Sequence, residues 1–138
     1  MKKLLIVLGI MLVGGVFTAF TLSARSISIV TVAGPFEDVV AALKQGDVNA
    51  LSRYLDNTVE INIAGKSNSY SKAQAEIILK DFFSKNPVKS FELIHQGGDN
   101  SRFGIGNMST GNGAFRVSFF LQKKGGSMVL NELRFESK

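Results

Sequence analysis

The sequence predicts an α+β domain in which a curved antiparallel sheet wraps on three helices, in the order α-α-β-α-β-β-β-β. Before Pro87, most apolar residues recur every three or four positions, as they do on one face of an amphipathic helix. After Pro87 they alternate, and glycine-rich turns separate the apolar runs at short, regular intervals, as in an antiparallel meander. The chain has 138 residues, so a single domain is expected.

The amino-terminal segment is expected to lie outside the folded domain. Lys2 and Lys3 precede a long uncharged apolar run, which predicts a signal peptide over residues 1–24. A retained membrane anchor is the alternative, because the run is long enough to span a bilayer. Residues 25–33 are then a linker, and residues 34–138 form the domain. Both alternatives predict an exported domain, in the periplasm or cell envelope of a Gram-negative-type bacterium.

Two helices open the domain. The first is predicted over residues 34–45, with Pro35 at its first position and Gly46 as its stop. A second, short helix runs from the cap Asp47 to Leu55. The apolar face of the first helix comprises Phe36, Val39, Val40 and Leu43.

A strand, a loop and the best-defined helix follow. Residues 58–63 alternate strictly between apolar and polar, as in a half-buried strand, whereas residues 65–69 are all polar or glycine and predict a loop. The third helix begins at the cap Ser71. Gln74 completes a capping box with this serine, and the helix ends before Pro87.

Four strands complete the predicted sheet, over residues 88–96, 102–109, 114–123 and 128–135. In the second of them, Phe103, Ile105 and Asn107 share the face expected to be inward. Gly104 and Gly106 share the opposite face, and glycines inside a strand mark bending or the close approach of another element.

Composition excludes several kinds of site. The chain has no cysteine, and its one histidine is His95, so thiolate metal sites, disulfides and sites needing two histidines are excluded. The formal charge is +5, and without Lys2 and Lys3 it becomes 14 basic minus 11 acidic residues, or +3. These charges are scattered rather than clustered, which argues against nucleic-acid binding. No metal or cofactor is assigned.

The chain resembles the cone-shaped, nuclear-transport-factor-two-like (cystatin-like) proteins, and more closely a family of small exported bacterial proteins described as a domain of unknown function. The matching stretches are residues 42–54 (ALKQGDVNALSRY), 64–87 with YSKAQAEIILKDFFSKNP at the centre, 90–96 (SFELIHQ), 113–120 (GAFRVSFF) and 123–126 (KKGG). The resemblance implies the fold and no activity, because the wider fold hosts enzymes, binders and scaffolds. Enzymes of this fold use an Asp or a His pair with Tyr inside the cone. Here a second His is missing, and no Asp falls at an inward strand position.

Four residues are candidates for a ligand site. His95 shares a face with Phe91 and Leu93 and is expected inside the cone or at the edge of the core. Asn107 and Asn131 lie on faces that are otherwise apolar, so they could line a cavity together with His95 and Tyr54. The alternative for all four is a structural role with satisfied hydrogen bonds. No catalytic residue is assigned.

Three functions remain open. The first is a non-enzymatic module that binds a small apolar ligand or an envelope protein. The second is a small hydrolase- or isomerase-like enzyme using His95 in the cone, and the third is a structural assembly subunit. A homodimer through the outer sheet face is also expected if exposed apolar residues cluster there. Phe120 and Met108 are its predicted members, with Met128 or Leu130 as possible additions.

Overall fold

The computed structural model describes residues 34–138, so the predicted signal peptide or anchor (1–24) and linker (25–33) lie outside the described residues. Three helices and six strands follow in the order α1 Pro35–Gln45, α2 Val48–Ser52, β1 Leu55–Ile63, β2 Lys66–Ser71, α3 Lys72–Lys85, β3 Val88–Gly97, β4 Ser101–Thr110, β5 Gly113–Lys124 and β6 Ser127–Ser137. Within this range, no helix is both long and apolar enough to cross a bilayer.

The α+β fold class is confirmed, with two corrections to its details. The polar segment expected to be a loop is strand β2, which pairs with β1 and makes the order α-α-β-β-α-β-β-β-β. The sheet order is β2-β1-β6-β5-β4-β3, and the β1–β6 pair is parallel, so the sheet is mixed rather than purely antiparallel. The other four strand pairs are antiparallel, as expected.

The helix boundaries follow the predicted capping signals except at the end of α2, which was predicted at Leu55 but lies at Ser52, because Leu55 begins β1. The Ser71 hydroxyl accepts a hydrogen bond from the Gln74 backbone N–H, and the Gln74 side chain accepts one from the Ser71 N–H, both at 3.3 Å. Asp47 caps α2 by accepting from the Ala50 N–H at 3.1 Å. Gly46 ends α1 in the left-handed conformation, with φ 63°, where a side chain would be strained.

The helices cover one face of the sheet, and side chains fill the space between them. Phe82 of α3 packs on Phe135 of β6 with ring centroids 4.2 Å apart, and on Phe115 of β5 at 5.3 Å. Phe36 of α1 packs on Phe119 of β5 at 5.3 Å. The interior of the cone is therefore a packed core rather than an open cavity.

The two strand glycines face this core, because aromatic rings occupy the space above them. A Cβ added to Gly104 would lie 2.3 Å from the Phe119 ring, and one added to Gly106 would lie 2.4 Å from the Phe91 ring. The close approach predicted from these glycines is thus present. It also fixes the orientation of β4, whose buried Met108 shares the core face while Asn107 lies on the outer face.

Irregular pairing changes the predicted orientation of only part of β3 and β6, because Phe91 of β3 and Phe135 of β6 lie in the core as predicted. In β3 the register with β4 shifts between Leu93 and His95, so His95 lies opposite Ile105. In the β5–β6 pair a similar shift leaves Asn131 as the extra residue and places Leu130 in the core.

Candidate functional site

An open groove lies beside α3, along β1 and β2. Its volume is about 470 Å³, which falls in the range of small-molecule sites. Its lining combines apolar side chains with a smaller polar rim: Ile61, Ile63, Ala64, Lys66, Asn68, Tyr70, Ile78, Asp81, Phe82, Lys85, Asn86, Phe115 and Ser137. We call this feature the α3–β2 groove.

The alternation of β2 supplies one wall of the groove. Lys66, Asn68 and Tyr70 are alternate residues of this edge strand, so all three point to the same side. Opposite them, Ile78 and Phe82 are one helical turn apart on α3. The groove therefore exists because β2 is a strand and α3 folds back beside it after Ser71.

The apolar floor continues the hydrophobic core toward solvent. Ile61 is 1 % exposed and Phe82 5 % exposed, so both are fixed in the core beneath the groove. Ile63, Tyr70 and Ile78 are half-buried at its surface. This arrangement offers a preformed apolar surface that a ligand could cover.

The charges lie at one end of the groove. Lys85 pairs with Asp81 at 3.0 Å, one turn back on the same helix. Lys66 lies at the start of β2, and among residues 34–138 no ion-pair partner lies within reach of its ammonium group. The polar end thus carries one uncompensated positive charge, whereas the end at Tyr70 and Ile78 is uncharged.

None of the four predicted site residues lines this groove. His95 is exposed on the outer face of the sheet, with its ring centroid 5.5 Å from that of Phe103, so its expected position inside the cone or core is wrong. The amide oxygens of Asn107 and Asn131 are buried on the outer side and have no hydrogen-bond partner among the described residues. The Asn131 amide nitrogen donates to Gln122 at 3.2 Å. The structure therefore does not bring the four residues together.

Tyr54 lies on the helical side, where its hydroxyl donates to the carboxylate of Asp38. This hydrogen bond raises the pKa of the Tyr54 phenol above its ordinary value, and partial burial adds to the effect. The contact ties the start of β1 to the first turn of α1. A shallow hollow of about 200 Å³ beside it has a lining that includes Arg53 and Gln45.

A second polar contact joins distant parts of the sheet. Lys124, at the end of β5, donates to the carboxylate of Asp56 in β1 at 2.5 Å. This bond lowers the pKa of the Asp56 carboxyl, although burial opposes the shift. The Asp56 side chain is 11 % exposed and that of Lys124 is 54 % exposed, so the carboxylate of this ion pair is largely buried whereas the ammonium group is in contact with solvent.

The outer sheet face carries a row of aromatic side chains. The Phe103 and Phe120 ring centroids are 6.2 Å apart, and Ile105 and His95 occupy the next row of the register. We call these four residues the outer patch. Met108 and Leu130 do not belong to it, because they are 1 % and 0 % exposed in the core, and Met128 packs against the core as well. Of the predicted members, Phe120 alone is exposed, at 37 %.

Two carboxylates on this face are neighbours without forming a shared site. Glu60 and Glu132 are register partners across the parallel β1–β6 pair. Glu60 accepts a hydrogen bond from the Ser67 hydroxyl at 2.7 Å, whereas Glu132 binds Arg134. Within residues 34–138, no group of three or more metal-ligating side chains is placed to hold an ion.

The sheet, its helices and the lateral groove define a nuclear-transport-factor-two-like α+β domain. A protein of this fold from Cytophaga hutchinsonii, described as NTF2-like and of unknown function, matches with a TM-score of 0.53 at 11 % identity over 73 % of this chain and 84 % of that one. At that identity the likeness concerns the fold alone.

The family is more specific. The model of the domain of unknown function DUF4783 matches residues 36–136, and the chain belongs to this family. A DUF4783 protein from Bacteroides uniformis is 37 % identical with a TM-score of 0.72, over 74 % of this chain and 95 % of that one. One from Bacteroides fragilis is 36 % identical with a TM-score of 0.71, over 73 % and 96 %. No curated protein matches the chain.

Proposed function

We propose that this DUF4783 protein is a non-enzymatic binding module, and that the α3–β2 groove takes a small apolar ligand. The observation that carries the proposal is the groove itself, an open space of about 470 Å³ with a floor of buried side chains such as Ile61 and Phe82. A ligand there would remove apolar surface from water without reorganising the core. Of the predicted residues, Asn131 lines a hollow of about 400 Å³ beside Phe103 and Phe120, and Tyr54 lines one of about 200 Å³, whereas the cone interior is packed.

The placement of His95 argues against the enzyme alternative in the form predicted from the sequence. A general acid or base must reach its substrate and is oriented by a partner group. His95 stands on the outer face instead, and its neighbours in the register are Ile105 and the exposed β3 edge. His95 therefore lies outside the α3–β2 groove and does not support a catalytic role for it.

The test is a calorimetric titration of the folded chain with decanol. Saturable binding is expected for the wild type, and Ile78→Ser is expected to weaken it about fivefold because Ile78 presents part of the floor. Ile94→Ser is the matched control, since Ile94 is 47 % exposed on β3 and does not line the groove. Absence of saturable binding, or an equal loss in both variants, would contradict the proposal.

We propose in addition that the protein is exported to the periplasm or cell envelope and forms a homodimer through the outer patch. The patch supports a dimer because its apolar centre is bordered by both signs of charge. Arg116 and Glu136 face each other across β5 and β6. A surface of this kind can be self-complementary in a twofold interface.

Native mass spectrometry of the protein recovered from its own cell envelope tests both points. Phe120→Ser is expected to shift the dimer to monomer, whereas Ile77→Ser is not, although Ile77 is more exposed at 67 %. A wild-type monomer would contradict the dimer. The mass of the amino terminus distinguishes a removed signal peptide from a retained segment.

A further inference from the structure

We infer that the ligand of the α3–β2 groove is an anionic amphiphile: an unbranched apolar tail that ends in a carboxylate or a similar single negative charge. This inference rests on the proposed function of the groove and adds the chemical class and orientation of the occupant. It follows from a gradient of polarity along the groove, from charged to apolar.

The polar end lies where the start of β2 approaches the end of α3. Lys66 and Lys85 both line this end, together with the side chain of Asn86. Asp81 neutralises Lys85 within the helix, so Lys66 contributes the unbalanced charge. An anionic head group would find a cation here, together with the second N–H of the Asn86 amide, whose nitrogen already donates to the Phe82 carbonyl at 2.9 Å.

The apolar end lies where β2 turns into α3. Tyr70 and Ile78 line the groove there, and a smaller hollow of about 180 Å³ shares both residues and continues to Ile77. Ile77 is 67 % exposed, and no element among the described residues covers it. A tail that passes over Tyr70 would cover this isoleucine as well.

The distance along α3 between the apolar end and the polar end sets the length of ligand that fits. Ile77 and Lys85 are eight residues apart on α3, which corresponds to about 12 Å. A head group near Lys85 and Lys66 therefore leaves room for a medium-length extended tail. A compact polycyclic ligand would fill the main groove without reaching Ile77.

Charge distinguishes the head-group classes. A cationic head would be repelled by the unbalanced Lys66, and a neutral alcohol would gain nothing from it. Because Lys66 is exposed, its contribution is modest, about two- to fivefold in affinity, and it decreases as salt screens the charge.

The experiment compares decanoate, decanol and decylammonium on the same folded chain by calorimetry at low and high ionic strength. Decanoate is expected to bind about two- to fivefold more tightly than decanol at low salt, and decylammonium most weakly. Lys66→Gln is expected to lower the affinity for decanoate to that for decanol, without changing the affinity for decanol. Lys80→Gln, an exposed lysine on α3 outside the groove, is the matched control and should leave all three unchanged.

Each other outcome contradicts a defined part of the reasoning. If decanol binds and decanoate binds no more tightly, the anionic head group is overturned while the apolar groove stands. If Lys66→Gln has no effect on a real preference for decanoate, the assigned position of the head group is overturned. If none of the three binds, both this inference and the proposed function fail.

Discussion

Replacing Gly104 by alanine tests whether the packed cone depends on a missing side chain. The Cβ would lie 2.3 Å and 2.5 Å from two atoms of the Phe119 ring and 3.1 Å from Leu93. Phe119 is fully buried and packs on Phe36 at 5.3 Å, so its ring cannot move away without disturbing α1. The substitution therefore forces a shift of the sheet against the helix.

The expected magnitude follows from two opposing effects. Overpacking of a core costs roughly 1–3 kcal/mol. Alanine also restricts the unfolded chain more than glycine does, which stabilises the folded state by about 0.4–1 kcal/mol. A contact at 2.3 Å places the overpacking in the upper part of its range, about 2–3 kcal/mol, so the net loss in free energy of unfolding should be about 1–2.6 kcal/mol. For a domain of this size, each kcal/mol lowers Tm by roughly 4–8 °C.

Urea unfolding, monitored by circular dichroism, measures this loss in free energy of unfolding. Gly111→Ala is the matched control, because its Cβ would make an ordinary contact at 3.5 Å with Pro87 and should change stability by less than about 0.5 kcal/mol. Combining Gly104→Ala with Phe119→Leu should cost less than the sum of the two single changes, since the smaller side chain relieves the contact. A Gly104→Ala variant as stable as the wild type would refute this account of the core.

Three further substitutions probe the polar contacts. Asp56→Asn should lower stability at neutral pH by about 1 kcal/mol, because a neutral acceptor replaces the carboxylate that Lys124 contacts and solvent screens the exposed ammonium group. The folded-state pKa of Asp56 is lowered, so the stability that this pair contributes is fully present above the unfolded pKa of about 4. This stability is lost as the pH falls through the folded-state pKa. The free energy of unfolding should therefore decrease less steeply with falling pH in the variant than in the wild type. Tyr54→Phe should cost about 1 kcal/mol by removing the bond to Asp38, and the wild-type phenol should ionise above its ordinary pKa of about 10 in an absorbance titration. Ser71→Ala should cost about 1 kcal/mol in urea unfolding through loss of the α3 cap.

Two of these measurements have a matched control, and the third has a defined contradicting outcome. A Tyr70→Phe background leaves Tyr54 as the only phenol of the chain, and ionisation at or below the ordinary pKa would contradict the bond to Asp38. Ser69→Ala removes a hydroxyl from the exposed strand β2 without touching the helix cap, so an equal loss there would show that the Ser71 effect is not capping. An acid profile of Asp56→Asn parallel to that of the wild type would mean that this carboxyl does not govern acid unfolding.

The starts of all three helices and the ends of α1 and α3 could be predicted because their signals are local, whereas the end of α2 has no such signal. Ser71 and Gln74 specify the start of α3 from a distance of three residues, and Gly46 specifies the end of α1. The fold class followed from the change of period after Pro87. These features depend on neighbours in the chain, so a single sequence contains them.

The candidate site could not be predicted, because it depends on two features that leave little trace in the sequence. Strand β2 is polar on both sides and lies at the sheet edge, so its residues lack the alternation by which strands are identified. Without this strand, the sequence does not predict the groove beside it. The bulge between Leu93 and His95 shifts the pairing by one residue, and this moves His95 to the other face. Asn107 was misplaced because Gly104 and Gly106 look like solvent-facing residues until the rings of Phe119 and Phe91 are seen above them. Tyr70 carried one usable signal, a lone aromatic residue in a polar stretch.

The parallel pairing of β1 with β6 has a consequence for how the domain is assembled in time. Strands β3 to β6 can join one hairpin after another, and the β1–β2 hairpin can form with α3, but Glu60 meets Glu132 only when both halves are complete. The long-range pairing of β1 with β6, rather than the formation of local hairpins, is then expected to limit the folding rate. A chain leaving the ribosome must hold β1 and its apolar residues without their partner until the last strand has emerged. Premature termination within β6 would therefore expose the edges of β1 and β5 in addition to the two edges, β2 and β3, that the complete sheet already has, and such unpaired edges are templates for aggregation.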